Sequence, residues 1–197
     1  MTFNRLTIFT LAVAGLFVSA LVGIMIWVSA DSAKARPGPF NVKFSLIDDS
    51  GKPVDGEMFK GAPSLVYFGY TNCPEVCPTT LFEMADWVKA FGSDADRMKL
   101  YFFTIDPERD TQEIMHAYVS AFSNRITGIT GAPEEMQKVV NGWMVHAQKQ
   151  TASNGDYHMN HTTSLLMIGP DGRLRGLIPY SAGRDVAISM IRASLLR

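Results

Sequence analysis

The chain carries two different hydrophobic patterns. Between Leu6 and Ala30 apolar residues follow one another without a charged side chain, and Thr7, Thr10, Ser19 and Ser29 are the only polar breaks. A run of this length suffices to cross a bilayer as a helix. It exceeds the apolar stretch of a cleaved signal, roughly 7–15 residues, although Val28-Ser29-Ala30 imitates a cleavage motif. The expectation is an uncleaved membrane anchor over residues 1–30, a single transmembrane helix. Residues 31–39, with Ser, Ala, Gly and two Pro, read as a linker.

From residue 40 to 197 the pattern breaks into short elements. Val42-Lys43-Phe44-Ser45-Leu46 alternates as a half-buried strand does, and Asp48-Asp49-Ser50-Gly51-Lys52-Pro53 supplies a turn into a hairpin. Residues 64–70 form a continuous apolar run of strand length, typical of a central strand covered on both faces. Over residues 79–91, Leu81, Met84, Ala85 and Val88 recur at helical spacing until Gly92 ends the pattern. A second buried strand follows over 98–105, then a loop over 106–110 and a helix over about 111–121. A further helix is expected over 133–145, with Pro133 suited to its first turn. Strands over 163–168 and 174–178 flank the turn Pro170-Asp171-Gly172, and a terminal helix covers 185–196. This order predicts an α/β fold of thioredoxin-like type, a central mixed sheet flanked by helices.

Charge narrows the possible partners. The 197 residues hold 18 basic and 19 acidic side chains, and only Arg5 precedes the apolar run, so 17 basic residues face 19 acidic ones beyond it. That balance gives no reason to expect nucleic acid or anionic lipid as a partner. With Arg5 before the run and Lys34 and Arg36 after it, charge does not orient the anchor. Everything that can fold lies after the anchor, so a cytoplasmic stub and an exported domain are expected. The short N-terminus lacks the character of a transit peptide, which favours a bacterial inner membrane with the domain in the periplasm.

The chemistry concentrates in Thr71-Asn72-Cys73-Pro74-Glu75-Val76-Cys77-Pro78, which contains both cysteines of the chain. Proline tolerates a first helical turn but not a helix interior, so Pro78 puts Cys77 at or just before a helix start. Cys73 then lies in the loop leaving the strand. Free backbone N–H groups and the helix dipole at such a junction favour thiolate over thiol. A passive disulfide would constrain little chain, because its benefit grows with loop length. A reversible redox pair and a metal site both remain open. Two thiolates suit Cu(I), and an imidazole would complete a low-coordinate site. Of four histidines, His116 and His146 fall on expected helices and read as surface residues. His158 and His161 fall in an expected loop just before the strand at 163, where spacing alone does not decide between a ligand and a solvent-facing side chain.

The order and spacing of Asn72-Cys73-Pro74-Glu75-Val76-Cys77-Pro78, Thr104-Ile105-Asp106-Pro107-Glu108-Arg109-Asp110-Thr111, Asp156-Tyr157 with His161, and Ile168-Gly169-Pro170-Asp171-Gly172 resemble the Sco/SenC family. The resemblance covers essentially the whole expected domain. It implies a membrane-anchored thioredoxin-like copper chaperone of cytochrome oxidase assembly, with Cys73 and Cys77 as thiolate ligands and His161 as imidazole ligand. It further implies that Asp106 lies near the site, outside the ligand set. Copper is expected as Cu(I), with Cu(II) also accessible. The implied partners are the copper-bearing oxidase subunit and a periplasmic copper donor or thiol reductant. One departure is Asn160, where family members commonly carry Asp before the ligand histidine. His158 and Met159 add donors beside His161 but read as an exposed polar loop.

Two other activities compete with copper delivery. The same cysteines would serve a thiol-disulfide oxidoreductase acting on an oxidase subunit or another exported protein, so enzyme status stays undecided. The string Cys77-Pro78-Thr79 hints at a peroxidase, but the position three residues before Cys77, where such enzymes use Thr or Ser, is Pro74.

Overall fold

The computed structural model describes residues 4, 11, 13–25, 42–151 and 155–195. Two compact units are distinguished, Met1–Pro37 and Gly38–Arg197. In the first, residues 11 and 13–25 are helical, with apolar side chains such as Leu16, Phe17 and Met25 exposed. No helix among the described residues is long and apolar enough to cross a membrane. The rest of the expected anchor and the whole expected linker lie outside the described residues.

The second unit is built on a seven-stranded mixed sheet. Its strands are β1 (Leu46–Asp48), β2 (Pro53–Val54), β3 (Ser64–Gly69), β4 (Lys99–Thr104), β5 (Ile126–Thr130), β8 (Leu165–Ile168) and β9 (Leu174–Ile178), in the order β2-β1-β5-β4-β3-β8-β9. Strands β3, β4 and β5 run parallel, while β8 lies antiparallel against β3 and β1 antiparallel against β5. Helices α1 (Val76–Lys89), α2 (Gln112–Ser120), α3 (Pro133–Gly142) and α4 (Arg184–Leu195) complete the unit. A separate two-stranded sheet pairs β6 (Ala147–Thr151) with β7 (Tyr157–His161).

The continuous apolar run becomes the central strand because both of its faces are covered. All six residues of β3 are buried, and Phe68, Phe103, Phe59 and Trp143 form one aromatic cluster, with Phe59 stacked on Phe103 and Trp143 edge-on to Phe68. Each large apolar side chain fully withdrawn from water contributes roughly 1.5–3 kcal/mol, so β3 anchors the start of the loop that follows it in the core. That loop carries the cysteines.

Several boundaries differ from the sequence expectation for identifiable reasons. Helix α1 begins at Val76 rather than residue 79, because Pro78 occupies the third helical position, where its missing N–H costs nothing. The first strand begins only at Leu46, since β5, the neighbour it pairs with, ends at Thr130 and offers residues 42–45 no ladder. Strand β5 has no counterpart in the sequence pattern: Ile-Thr-Gly-Ile-Thr is a weak strand signal, and pairing between β4 and β1 creates it. Gly128 in that strand sits close against α2: a Cβ there would come 3.2 Å from the Met115 Cε, so Met115 would have to shift by a few tenths of an ångström. The expected loop before residue 163 is instead the β6–β7 hairpin, whose polar residues hide the alternation of a strand with one solvated face.

Candidate metal centre

Strand β3 ends at Gly69, and the chain turns through Tyr70–Glu75 into the first turn of α1. Glu75 occupies the N-cap position without making a side-chain capping bond. The Cys77 backbone N–H points instead at the Cys73 Sγ, 3.4 Å away. A sulfur thus takes the place of a capping oxygen at the positive end of the helix, where negative charge is stabilised.

The two thiols sit in different surroundings. Cys73 is partly exposed and Cys77 fully buried, and both are free thiols. The S–H of Cys77 serving Cys73 as a hydrogen-bond donor, helped by the backbone N–H groups of Glu75 and Cys77, pulls the Cys73 thiol down to about 4. The same bond, together with burial, pushes Cys77 up. The pair therefore shares one negative charge, carried by Cys73. Tyr67 donates its hydroxyl to Cys77 Sγ at 3.6 Å from below. Gly69 leaves the room that this sulfur fills, since a Cβ there would lie 2.8 Å from Cys77 Sγ and 2.8 Å from the Phe102 ring.

His161, the last residue of β7, closes the cluster. Its Nε2 lies 3.6 Å from Cys77 Sγ. Its Nδ1 is 2.8 Å from the Thr162 carbonyl oxygen, which can only accept, so Nδ1 carries the proton and the Nε2 lone pair faces the sulfurs. The edges of Tyr67 and Tyr70 flank the imidazole, with ring centroids at 6.2 and 5.9 Å. The ligand atoms of Cys73, Cys77 and His161 all lie within 4.8 Å of one another. One ion bound at roughly 2.0–2.3 Å, as imidazole and thiolate bind small soft metals, can span such separations after shifts well under an ångström. The donor set, two sulfurs and one imidazole, suits copper.

Asp106 is buried, but it is not among those three ligand groups. Its carboxylate accepts from the Arg109 guanidinium and, at 2.7 Å, from the Tyr157 hydroxyl. The remaining histidines are not in the ligand group. His116 on α2 pairs with Asp49 at 3.0 Å, and His146 is exposed just before β6. His158 and Asn160 are exposed on β7, alternating with the partly buried Tyr157, Met159 and His161. The Asn160 departure therefore falls on the solvated face of the strand, not on the face that carries His161. A shallow cleft lined by Tyr70, Cys73, Pro74, His158 and His161 opens the centre to solvent.

Asp110 is a site-supporting residue that sequence reasoning did not single out. It is fully buried, accepts from Thr71 N (3.1 Å), Thr71 Oγ1 (2.6 Å) and Thr104 Oγ1 (2.5 Å), and so ties the cysteine loop to β4. Burial pushes its carboxyl upward against the opposing threonine hydrogen bonds. Its place in the Asp106–Thr111 stretch was legible; its partner Thr71, 39 residues away, was not.

The sequence model of the SCO1/SenC family matches residues 32–196. The mitochondrial SCO1 homolog 1 of Arabidopsis thaliana is 33% identical over 153 residues, covering 73% of this chain and 45% of that protein. The mitochondrial SCO1 homolog of Mus musculus is 38% identical over 132 residues, covering 66% of this chain and 46% of that protein. The chain thus spans under half the length of either relative. Among solved structures, copper-bound ScoI of Bradyrhizobium japonicum superimposes with a TM-score of 0.72 at 38% identity, over 78% of this chain and 98% of that one.

Proposed function

The chain belongs to the SCO1/SenC family, and from that premise we propose that it is a copper metallochaperone that loads one copper and delivers it during cytochrome c oxidase assembly. The observation that carries this reading is the convergence of Cys73, Cys77 and His161 with the imidazole lone pair turned toward the sulfurs. Reduced Cys73 and Cys77 supply the thiolates that favour Cu(I), and His161 supplies the nitrogen that also accommodates Cu(II). Copper then passes to the copper-bearing subunit by ligand exchange, in which an incoming donor replaces each protein donor in turn. The partly exposed Cys73, on the open cleft, is the first donor an acceptor reaches, and buried Cys77 the last. The apolar run at residues 6–30 anchors the chain in a bacterial inner membrane, the linker is 31–39, and residues 40–197 work in the periplasm.

The test is copper stoichiometry with X-ray absorption on anaerobically purified protein, wild type against Cys73→Ser, Cys77→Ser and His161→Ala. One copper per chain with sulfur and nitrogen scattering is expected in the wild type. The two serine variants should lose tight binding, and His161→Ala should lose the nitrogen shell. An unchanged affinity and nitrogen signal in His161→Ala would remove His161 from the site.

A second reading is favoured by one specific observation, the split of the thiols into a nucleophilic Cys73 thiolate and a buried Cys77. That is the arrangement of a dithiol that reduces a client disulfide, with Cys73 attacking and Cys77 resolving the mixed disulfide. The same His161→Ala variant separates the readings, since dithiol exchange should survive the loss of the imidazole while copper retention should not.

A further inference from the structure

The hairpin that brings His161 to the cysteines is not part of the main sheet. Among the described residues, strands β6 and β7 pair only with each other, and no ladder joins them to the main sheet. Something else must fix where the imidazole arrives. Ala147 and Met159 pack against the main core and Tyr70 reaches the Met159 backbone; the remaining polar side-chain contacts of the hairpin converge on a single turn, Asp106–Asp110. At one end of the turn, Asp110 holds the cysteine loop through Thr71. At the other end, Asp106 accepts from the Tyr157 hydroxyl at 2.7 Å, and Arg109 bonds Asp106, the Tyr157 carbonyl oxygen (3.3 Å) and the Asp156 carboxylate (3.2 Å). The Arg109 guanidinium also lies 3.7 Å from the centre of the Tyr157 ring. Lys149 of β6 lies over that ring at 3.7 Å and pairs with Glu108 of the turn at 3.1 Å.

We propose that Arg109 and Tyr157 are positioning residues that clamp the β6–β7 hairpin to the Asp106–Asp110 turn and thereby set the distance of His161 from Cys73 and Cys77. The turn acts as a common frame: it grips the sulfur side through Asp110 and the imidazole side through Arg109 and Tyr157. The Tyr157 grip is separable from the Asp110 one, while Arg109 also lies 5.9 Å from the ring centre of Tyr70 in the cysteine loop, which makes Tyr157→Phe the cleaner release. Releasing the Arg109–Tyr157 side frees the imidazole and leaves the cysteine loop and its helix start in place, so a three-donor centre becomes a two-sulfur one. This inference rests on the reading of His161 as the third copper donor.

The variants are Tyr157→Phe, which removes the hydroxyl and keeps the ring, and Arg109→Gln, which removes the charge and the fork. Arg109→Lys tests rescue, because a point charge cannot reproduce the planar, multiply bonded guanidinium. Each full-length chain is compared with His161→Ala in three measurements. Hydrogen exchange on the metal-free protein should show faster exchange of hairpin amides at residues 147–151 and 157–161 in Tyr157→Phe and Arg109→Gln, with β3 and α1 unchanged. Loaded with Cu(II), both variants should show weakened nitrogen hyperfine coupling in electron paramagnetic resonance. Competition with a Cu(I) chelator should give affinity losses of about 10-fold, the lower end expected for partners that orient a metal ligand. Arg109→Lys should restore none of these.

Wild-type hairpin protection and wild-type nitrogen coupling in Tyr157→Phe and Arg109→Gln would overturn the clamp. If His161→Ala itself changes neither coupling nor affinity, the three-donor reading fails instead, and the hydrogen exchange result still judges whether the clamp holds the hairpin. Faster exchange extending through β3 and α1 would also overturn the proposal, because the two grips would then not be separable.

Discussion

At the scale of single residues the centre is governed by which sulfur bears the charge. Cys73 has a helix-start N–H and the Cys77 S–H pointing at it. Its folded pKa, about 4, lies far below the ordinary thiol value of about 8.5. A depressed folded pKa contributes stability that is fully present above the unfolded value and is lost as pH falls through about 4. The reduced, metal-free protein should therefore alkylate at Cys73 with iodoacetamide at pH 6 nearly as fast as at pH 8, slowing only as pH approaches 4, while Cys77 stays slow throughout. Peptide mapping after timed quenching reads both rates. A Cys73 rate that falls off below pH 8 would show that its thiolate has no special stabilisation.

At the scale of elements, the end of α3 shows a local rule broken at a measurable cost. Val145 N–H reaches the Val140 carbonyl at 3.0 Å and Met144 N–H the Asn141 carbonyl at 3.1 Å, the bond pattern that ends a helix when the residue between them is left-handed. That residue is Met144, at φ 53°, where glycine is the usual occupant. The residue is 84% exposed, so glycine would forfeit little burial there. Met144→Gly should raise stability by about 0.5–1 kcal/mol, the strain relieved less the extra freedom of glycine in the unfolded chain. Thermal unfolding checks it, and a lower Tm would mean that Met144 makes a contact worth more than its strain. The expected helix over 133–145 ran past this point because nothing in Gly142-Trp143-Met144 announces a left-handed methionine.

At the scale of the whole molecule, copper binding and folding are linked. The proposed donors are residues 73, 77 and 161, so an ion held by all three would join the β3–α1 junction to a hairpin 84 residues away in sequence. The unfolded chain keeps the cysteines close together but not the histidine. Any ligand that binds the folded state alone stabilises it by mass action, about 2.7 kcal/mol at 100 times its dissociation constant. Stoichiometric Cu(I) should accordingly raise the Tm of the reduced protein, and less so in His161→Ala, where the ion bridges only residues that are already neighbours. Equal shifts in wild type and His161→Ala by anaerobic calorimetry would show that the hairpin takes no part in holding the metal.

The elements that pack on both faces were legible in the sequence, because a buried strand or an amphipathic helix writes its environment into its own residues. The apolar runs of β3 and β4, the periodicity of α1 and the position of Pro78 placed two sulfurs at a helix start before any coordinates. Elements that depend on neighbours were not legible. Strand β5, with Gly128 at its middle, is a strand because β4 and β1 flank it, and the β6–β7 hairpin is too polar to declare itself. The family motifs named His161 as the partner of the cysteines, yet residue spacing alone left a loop histidine and a ligand equally open. Tertiary structure decided that its Nε2 faces the sulfurs, that Asp106 is engaged with Arg109 and Tyr157, and that Asp110 holds Thr71. Contacts between residues 39 to 84 positions apart depend on how the chain closes on itself. The local pattern of polar and apolar residues encodes which face is buried, not which distant side chain it meets.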